Sequence, residues 1–159
     1  MKRFFLIIVL FSLQVYSQKK LEIYNLTNQT VTITDIFTNA SGTYPEFHCK
    51  GTMIAVPASG SYILENTSSL TRFPFDSPAT SPYIASWQRQ TSATMEVFVP
   101  STVAWTLGSP QSFYRMTFNV GNFGYSISAA NSPFAGPGFT AEYSMFTNGT
   151  VVIYTVVIY

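Results

Sequence analysis

His48 and Cys49 are the chain's one histidine and one cysteine, and they are neighbours. A thiolate activated by an imidazole needs the two side chains to meet. Neighbours on a strand point to opposite faces. The pair therefore reads as a buried cysteine beside a surface histidine, not as a catalytic dyad. A lone cysteine has no internal disulfide partner, so it is buried, free or intermolecular. The carboxylates Glu22, Asp35, Glu46, Glu65, Asp76, Glu96 and Glu142 are spread along the chain. Two of them meeting in space would make a glycosidase pair, but their spacing does not show it. This is little material for a metal centre or a catalytic cluster. The expectation is no metal, no cofactor and no enzymatic activity.

The aromatic residues have a sharper use. Phe73, Phe75, Tyr83 and Trp87 cluster in and just after a proline-rich stretch, beside Asp76, Gln88 and Arg89. Exposed rings on a rigid scaffold stack on the apolar faces of sugars, while amides and guanidinium groups bond the hydroxyls. The expected ligand-binding set is Phe75, Asp76, Tyr83, Trp87 and Arg89. The competing use of the same rings is to fill the core. Trp105, in the alternating run VAWTL, is expected to be core.

Charge narrows the partners. Charged residues are 9% of the sequence, against ~25% in a typical soluble domain. Setting aside Lys2 and Arg3 leaves six basic residues against seven acidic ones. That balance argues against a nucleic-acid binder that neutralises phosphates. A neutral surface of Thr, Ser, Asn, Gln and Tyr suits a neutral partner, or a second copy of itself.

The elements must hold these residues in place. Lys2-Arg3, the apolar run Phe4–Leu13 and Val15-Tyr16-Ser17 follow the three-part plan of a secretory signal peptide, with cleavage before Gln18. The domain reading is a signal peptide over 1–17 and one β domain over 18–159. Its location is then secreted, periplasmic or extracellular. No later stretch is long and apolar enough for a transmembrane helix. Leu21–Leu26 and Thr30–Phe37 alternate as half-buried strands do, and Ile36 is out of phase with Ile33, which predicts a bulge near Asp35. Strands are also expected at Glu46–Lys50, Thr52–Val56, Tyr62–Glu65, Thr94–Val99, Val103–Leu107, Tyr114–Val120 and Phe123–Ser128, and a strand or a short irregular segment at Tyr83–Arg89. Asn66–Pro82 holds three prolines and reads as a long loop. Phe139–Phe146 and Thr150–Tyr159 are expected to form a hairpin around Asn148-Gly149. No helix longer than about two turns is expected.

About nine or ten short strands with frequent turns predict an all-β fold, a single antiparallel β-sandwich. The final strand is apolar on both faces, which fits a buried strand or one that awaits another chain. Asn-x-Ser/Thr sequons stand at Asn25, Asn28, Asn39, Asn66 and Asn148. The Leu21–Phe37 unit followed by the Val56–Ser61 turn resembles the starts of several secreted β-sandwich families, among them aegerolysins and thaumatin-like proteins. The resemblance covers about forty residues and no functional motif. The disulfide framework of the thaumatin-like family is absent, so the resemblance implies a fold and no activity. The functional expectation is a secreted recognition module for a glycan or a surface protein. The alternatives are a structural surface protein that self-associates through Val151–Tyr159, and a small outer-membrane β-barrel with an aromatic C-terminal residue.

Overall fold

A computed structural model of the chain describes residues 18–40, 42, 44–49, 53–65, 84, 86–108 and 110–159. Residues 1–17, read above as a signal peptide, and the proline-rich stretch Asn66–Pro82 lie outside the described residues. Among those described, twelve strands and one α-helix follow in chain order. They are β1 Gln18–Asn25, β2 Val31–Asn39, β3 Glu46–His48, β4 Ile54–Val56, β5 Gly60–Glu65, β6 Ser86–Ser92 and β7 Met95–Pro100. Then come α1 Ser101–Leu107, β8 Ser112–Val120, β9 Phe123–Ser128, β10 Phe134–Gly136, β11 Phe139–Asn148 and β12 Val151–Ile158.

The strands form two sheets. One has the order β10-β11-β12-β1-β5. The other runs β7-β6-β3-β2-β8-β9, with β4 pairing β2 beyond the β3 contact. Every ladder is antiparallel except β1–β12, where the first and last strands run parallel from Gln18↔Val151 to Asn25↔Ile158. A membrane barrel closes one sheet on itself. The described strands instead make two sheets with end strands, and no described helix is long and apolar enough to cross a membrane.

Alternation builds the core. Leu21 and Ile23 of β1, Val156 and Ile158 of β12, and Ile33 and Phe118 of the other sheet are fully buried in one cluster. Rings from the two sheets meet there: Phe118 and Tyr125 stand edge-on to Phe139, with centroids 6.0 and 4.9 Å away. The register of β2 against β8 shifts between Ile33 and Asp35. That bulge, legible in the spacing of Ile33 and Ile36, lets both isoleucines enter the core and turns Asp35 the other way.

Four expectations are corrected. The strand count is higher than nine or ten, because short pieces such as β3, β4 and β10 pair for three residues each. One ladder is parallel, which no local pattern specifies. Val103–Leu107 is not a strand but most of α1, a packed helix that buries Ser101 and Ala104 and brings Trp105 partly against the core. Five residues cannot separate a two-residue from a 3.6-residue period. The i, i+3 spacing of the two buried residues is the signal that a longer window would have caught. Finally, the last hairpin forms as expected, but its loop is Gly149-Thr150 and Asn148 still pairs with Val151. Gly149 alone of the two loop residues has positive φ, +61°.

Two sequons have structural duties. Asn25 is fully buried: its Nδ2 donates to the carbonyls of Gln29, Val56 and Pro57, and its Oδ1 accepts from Thr27 N–H and Oγ1–H. It ties the turn after β1 to the turn before β5. Asn39 is buried and accepts from Gly42 N–H. Asn28 and Asn148 are exposed, and Asn66 lies outside the described residues.

Candidate functional site

Local register assembles a polar cluster around His48. On β2 the bulge leaves Asp35 and Phe37 facing away from the core. Phe37 stands opposite His48 on β3 and Arg115 on β8. The Phe37 and His48 rings stack at 5.0 Å and 7°, and the Arg115 guanidinium lies 3.9 Å from the Phe37 centroid. His48 Nδ1 is 3.1 Å from Asp35 Oδ2, and His48 Nε2 is 3.1 Å from Glu96 Oε1 on β7. A neutral imidazole carries one N–H, so its tautomer sets which of the two carboxylates receives it. Burial raises the Glu46 carboxyl above its ordinary range, opposed by the positive charges of Arg115 and His48.

Both ring nitrogens of His48 face carboxylates. The expected surface histidine is buried instead, because Phe37, Asp35 and Glu96 enclose its ring. Cys49 is buried as expected, and its Sγ accepts the Ile36 N–H at 3.2 Å. Burial first, and then the Asp35 charge, push its thiol up to about 12. It is a small core residue rather than a nucleophile. A thiol reagent is therefore expected to label nothing in the native protein and one thiol per chain in urea. Rapid native labelling would contradict the described burial.

The sequence-derived ligand set divides. Phe75, Asp76 and Tyr83 lie outside the described residues. Trp87 is 1% exposed and belongs to the core. Arg89, two residues further along β6, shares the face of Trp87 and is half-buried opposite Phe47 and Val97. Gln88 points the other way, in line with His48 and Phe98.

An open surface lies elsewhere, on the five-stranded sheet. In β12, Val152, Tyr154, Val156 and Ile158 face the core side, and Val151, Ile153, Thr155 and Val157 face away from it. Register then defines rows on that second face. One is Glu142–Val157–Tyr24–Ser61, the next Ser144–Thr155–Glu22–Ile63, and the next Phe146–Ile153–Lys20–Glu65. Phe146 is 49% and Ile63 45% exposed. One lysine stands among three carboxylates there, Glu22, Glu65 and Glu142, and pairs with the first two. Lys20 Nζ lies 2.9 Å from Glu22 Oε1 and 3.6 Å from Glu65 Oε2. The Lys20 hydrogen bond holds the Glu22 carboxyl below its ordinary value, and the same bond raises the Lys20 ammonium. Tyr24 donates its hydroxyl to Glu22, which raises the phenol's own pKa. The result is a face of apolar and hydroxyl groups with a Lys20–Glu22–Glu65 cluster and Glu142 at the row of Val157. Its signal in the sequence was the two-sided apolar pattern of Thr150–Tyr159. β12 itself lies inside the sheet, between β11 and β1.

A scan of protein-family models and a search of curated proteins each found no match to the chain.

Proposed function

We propose that this chain is an exported β-sandwich module that recognises a neutral ligand, a glycan before a surface protein, and catalyses no reaction on it. The observation that carries the reading is the outward face of the five-stranded sheet, where Tyr24, Val157, Ile153, Ile63 and Phe146 lie together beside the Lys20–Glu22–Glu65 cluster. A sugar ring presents apolar C–H faces and neutral hydroxyls. It suits a surface of that kind better than a strongly charged ligand does. The sandwich reading is supported by rings of both sheets meeting in one core. Export is supported by the basic, apolar and small-residue order of the first 17 residues.

Two measurements test the two halves. Mass spectrometry of the exported species is expected to give an N-terminus at Gln18, and an intact Met1 would remove the export reading. In pull-downs on uncharged insoluble polysaccharides, Tyr24→Ala and Phe146→Ala are each expected to weaken capture by about 5–10-fold, the loss of one ring contact of about 1 kcal/mol. Capture of both variants at the unaltered level would remove the assigned face.

A further inference from the structure

β1 runs inside the five-stranded sheet, between β12 and β5. Its Leu21 and Ile23 are fully buried and share one core cluster with Val156 and Ile158 of β12. On the strand, Gln18, Lys19 and Lys20 come before Leu21. Gln18 is exposed. Among the described residues Gln18 and Lys19 pair on one side, with Val151 and Val152, and the ladder to β5 starts at Lys20 opposite Glu65. A strand end held on one side is where fraying begins. The two lysines each tie β1 down. Lys19 Nζ donates to the Gln111 carbonyl at 2.6 Å, just ahead of β8 in the other sheet, and Lys20 pairs with Glu22 and Glu65. Removal of Gln18, Lys19 and Lys20 would strip both ties and bring a protease to the core.

We propose that Gln18 closes to a pyroglutamyl lactam in the exported chain, and that the lactam shields β1 from aminopeptidases. The inference rests on the export reading, because only cleavage before Gln18 turns its backbone nitrogen into a free amine. The reaction uses Gln18's own atoms. The neutral α-amine attacks the side-chain amide carbon Cδ. An N–Cδ bond forms, the Cδ–Nε2 bond breaks, and Nε2 leaves as ammonia with the proton that the amine gives up. Nothing is oxidised or reduced, and no co-reactant is consumed. Nucleophile and electrophile sit on one residue, so closure of the five-membered ring is unimolecular. An α-amine has an ordinary pKa of about 7.7–8.0, so part of it is the neutral nucleophile near neutral pH.

The place of Gln18 in the fold gives the lactam its consequences. The ring stands at an exposed strand end. It keeps one N–H but loses the free α-amine that an aminopeptidase requires. It also removes a positive charge next to Lys19 and Lys20. Burial already lowers the Lys19 ammonium pKa, so a further cation beside it is unfavourable. The outward face of the five-stranded sheet plays no part in this chemistry, so the lactam stands or falls independently of ligand recognition.

Intact-mass measurement and Edman sequencing of the exported full chain, held at neutral pH, decide it. The expected mass is that of a chain starting at Gln18, less one ammonia. Edman degradation is expected to give no sequence until a pyroglutamyl peptidase has removed the ring, and then to start at Lys19. A chain that still begins at Met1 removes the export reading and the lactam with it. A chain that begins at an unmodified Gln18, or at another residue after the apolar run, keeps the export reading and overturns the lactam alone. Gln18→Ser, which cannot cyclise, tests the protective role. With circular dichroism spectra alike, an aminopeptidase is expected to trim the variant and to leave the parent at full length. Parent and variant trimmed alike, or both left whole, overturns the protection of β1.

Discussion

Replacing His48 by alanine is expected to lower the free energy of unfolding by about 1–3 kcal/mol, the cost of leaving a buried polar group without its hydrogen-bond partner. Asp35 is buried, and its Oδ2 meets His48 Nδ1 at 3.1 Å. The same change removes the ring that stacks on Phe37. Glu96 is a different case, because its side chain is 37% exposed and water screens it. Glu96→Gln is expected to cost only about 0–1 kcal/mol. Urea titrations followed by circular dichroism measure both, with the slope unchanged and the midpoint moved. A His48→Ala variant within 1 kcal/mol of the parent would mean that His48 does not hold Asp35 as described, and the cluster would lose its structural role.

Trp87→Ala is expected to cost about 3–5 kcal/mol, the range for deleting a large buried ring. The sequence offers Trp87 as a platform for a ligand, since it follows a proline-rich stretch beside Gln88 and Arg89. The structure puts its side chain among the largest fully buried ones. The two roles separate in one experiment. A core ring gives a destabilised variant whose remaining folded fraction keeps its surface intact. A variant of parental stability that had lost a ligand would show Trp87 to be a contact residue.

Much of the fold was legible, and the reasons are local. Period-two alternation in Leu21–Ile23 and Val31–Ile33 gave the strands, because one face of each is core. The three-residue gap from Ile33 to Ile36 gave the bulge, because both side chains have to enter the same core. The closing hairpin came from Gly149, although the turn sits one residue later than Asn148-Gly149. Long-range pairing was not legible. The parallel β1–β12 ladder joins residues 133 positions apart, Gln18 and Val151. No turn or spacing specifies such a contact.

The candidate sites were legible only in part, for the same reason. His48, Asp35 and Glu96 stand on three strands, and their meeting depends on sheet order rather than on any motif. The burial of Cys49 was readable from residue type, whereas that of His48 was not. The two-sided apolar pattern of β12 was visible, and it fitted both a buried strand and an assembly strand. Sheet order decides between them by placing β11 and β1 on its two edges.

The most direct measurement of the recognition reading is a glycan array probed with the exported full chain at low and high salt, beside a Tyr24→Ala/Phe146→Ala double variant. The apolar and hydroxyl groups of the outward face, with no unpaired cation among its named rows, predict binding to uncharged glycans that added salt leaves largely unchanged. The double variant is expected to bind at least about tenfold more weakly, a difference of 1.4 kcal/mol or more. Binding confined to anionic glycans and abolished by salt, equal binding by the double variant, or no binding to any glycan would contradict the account.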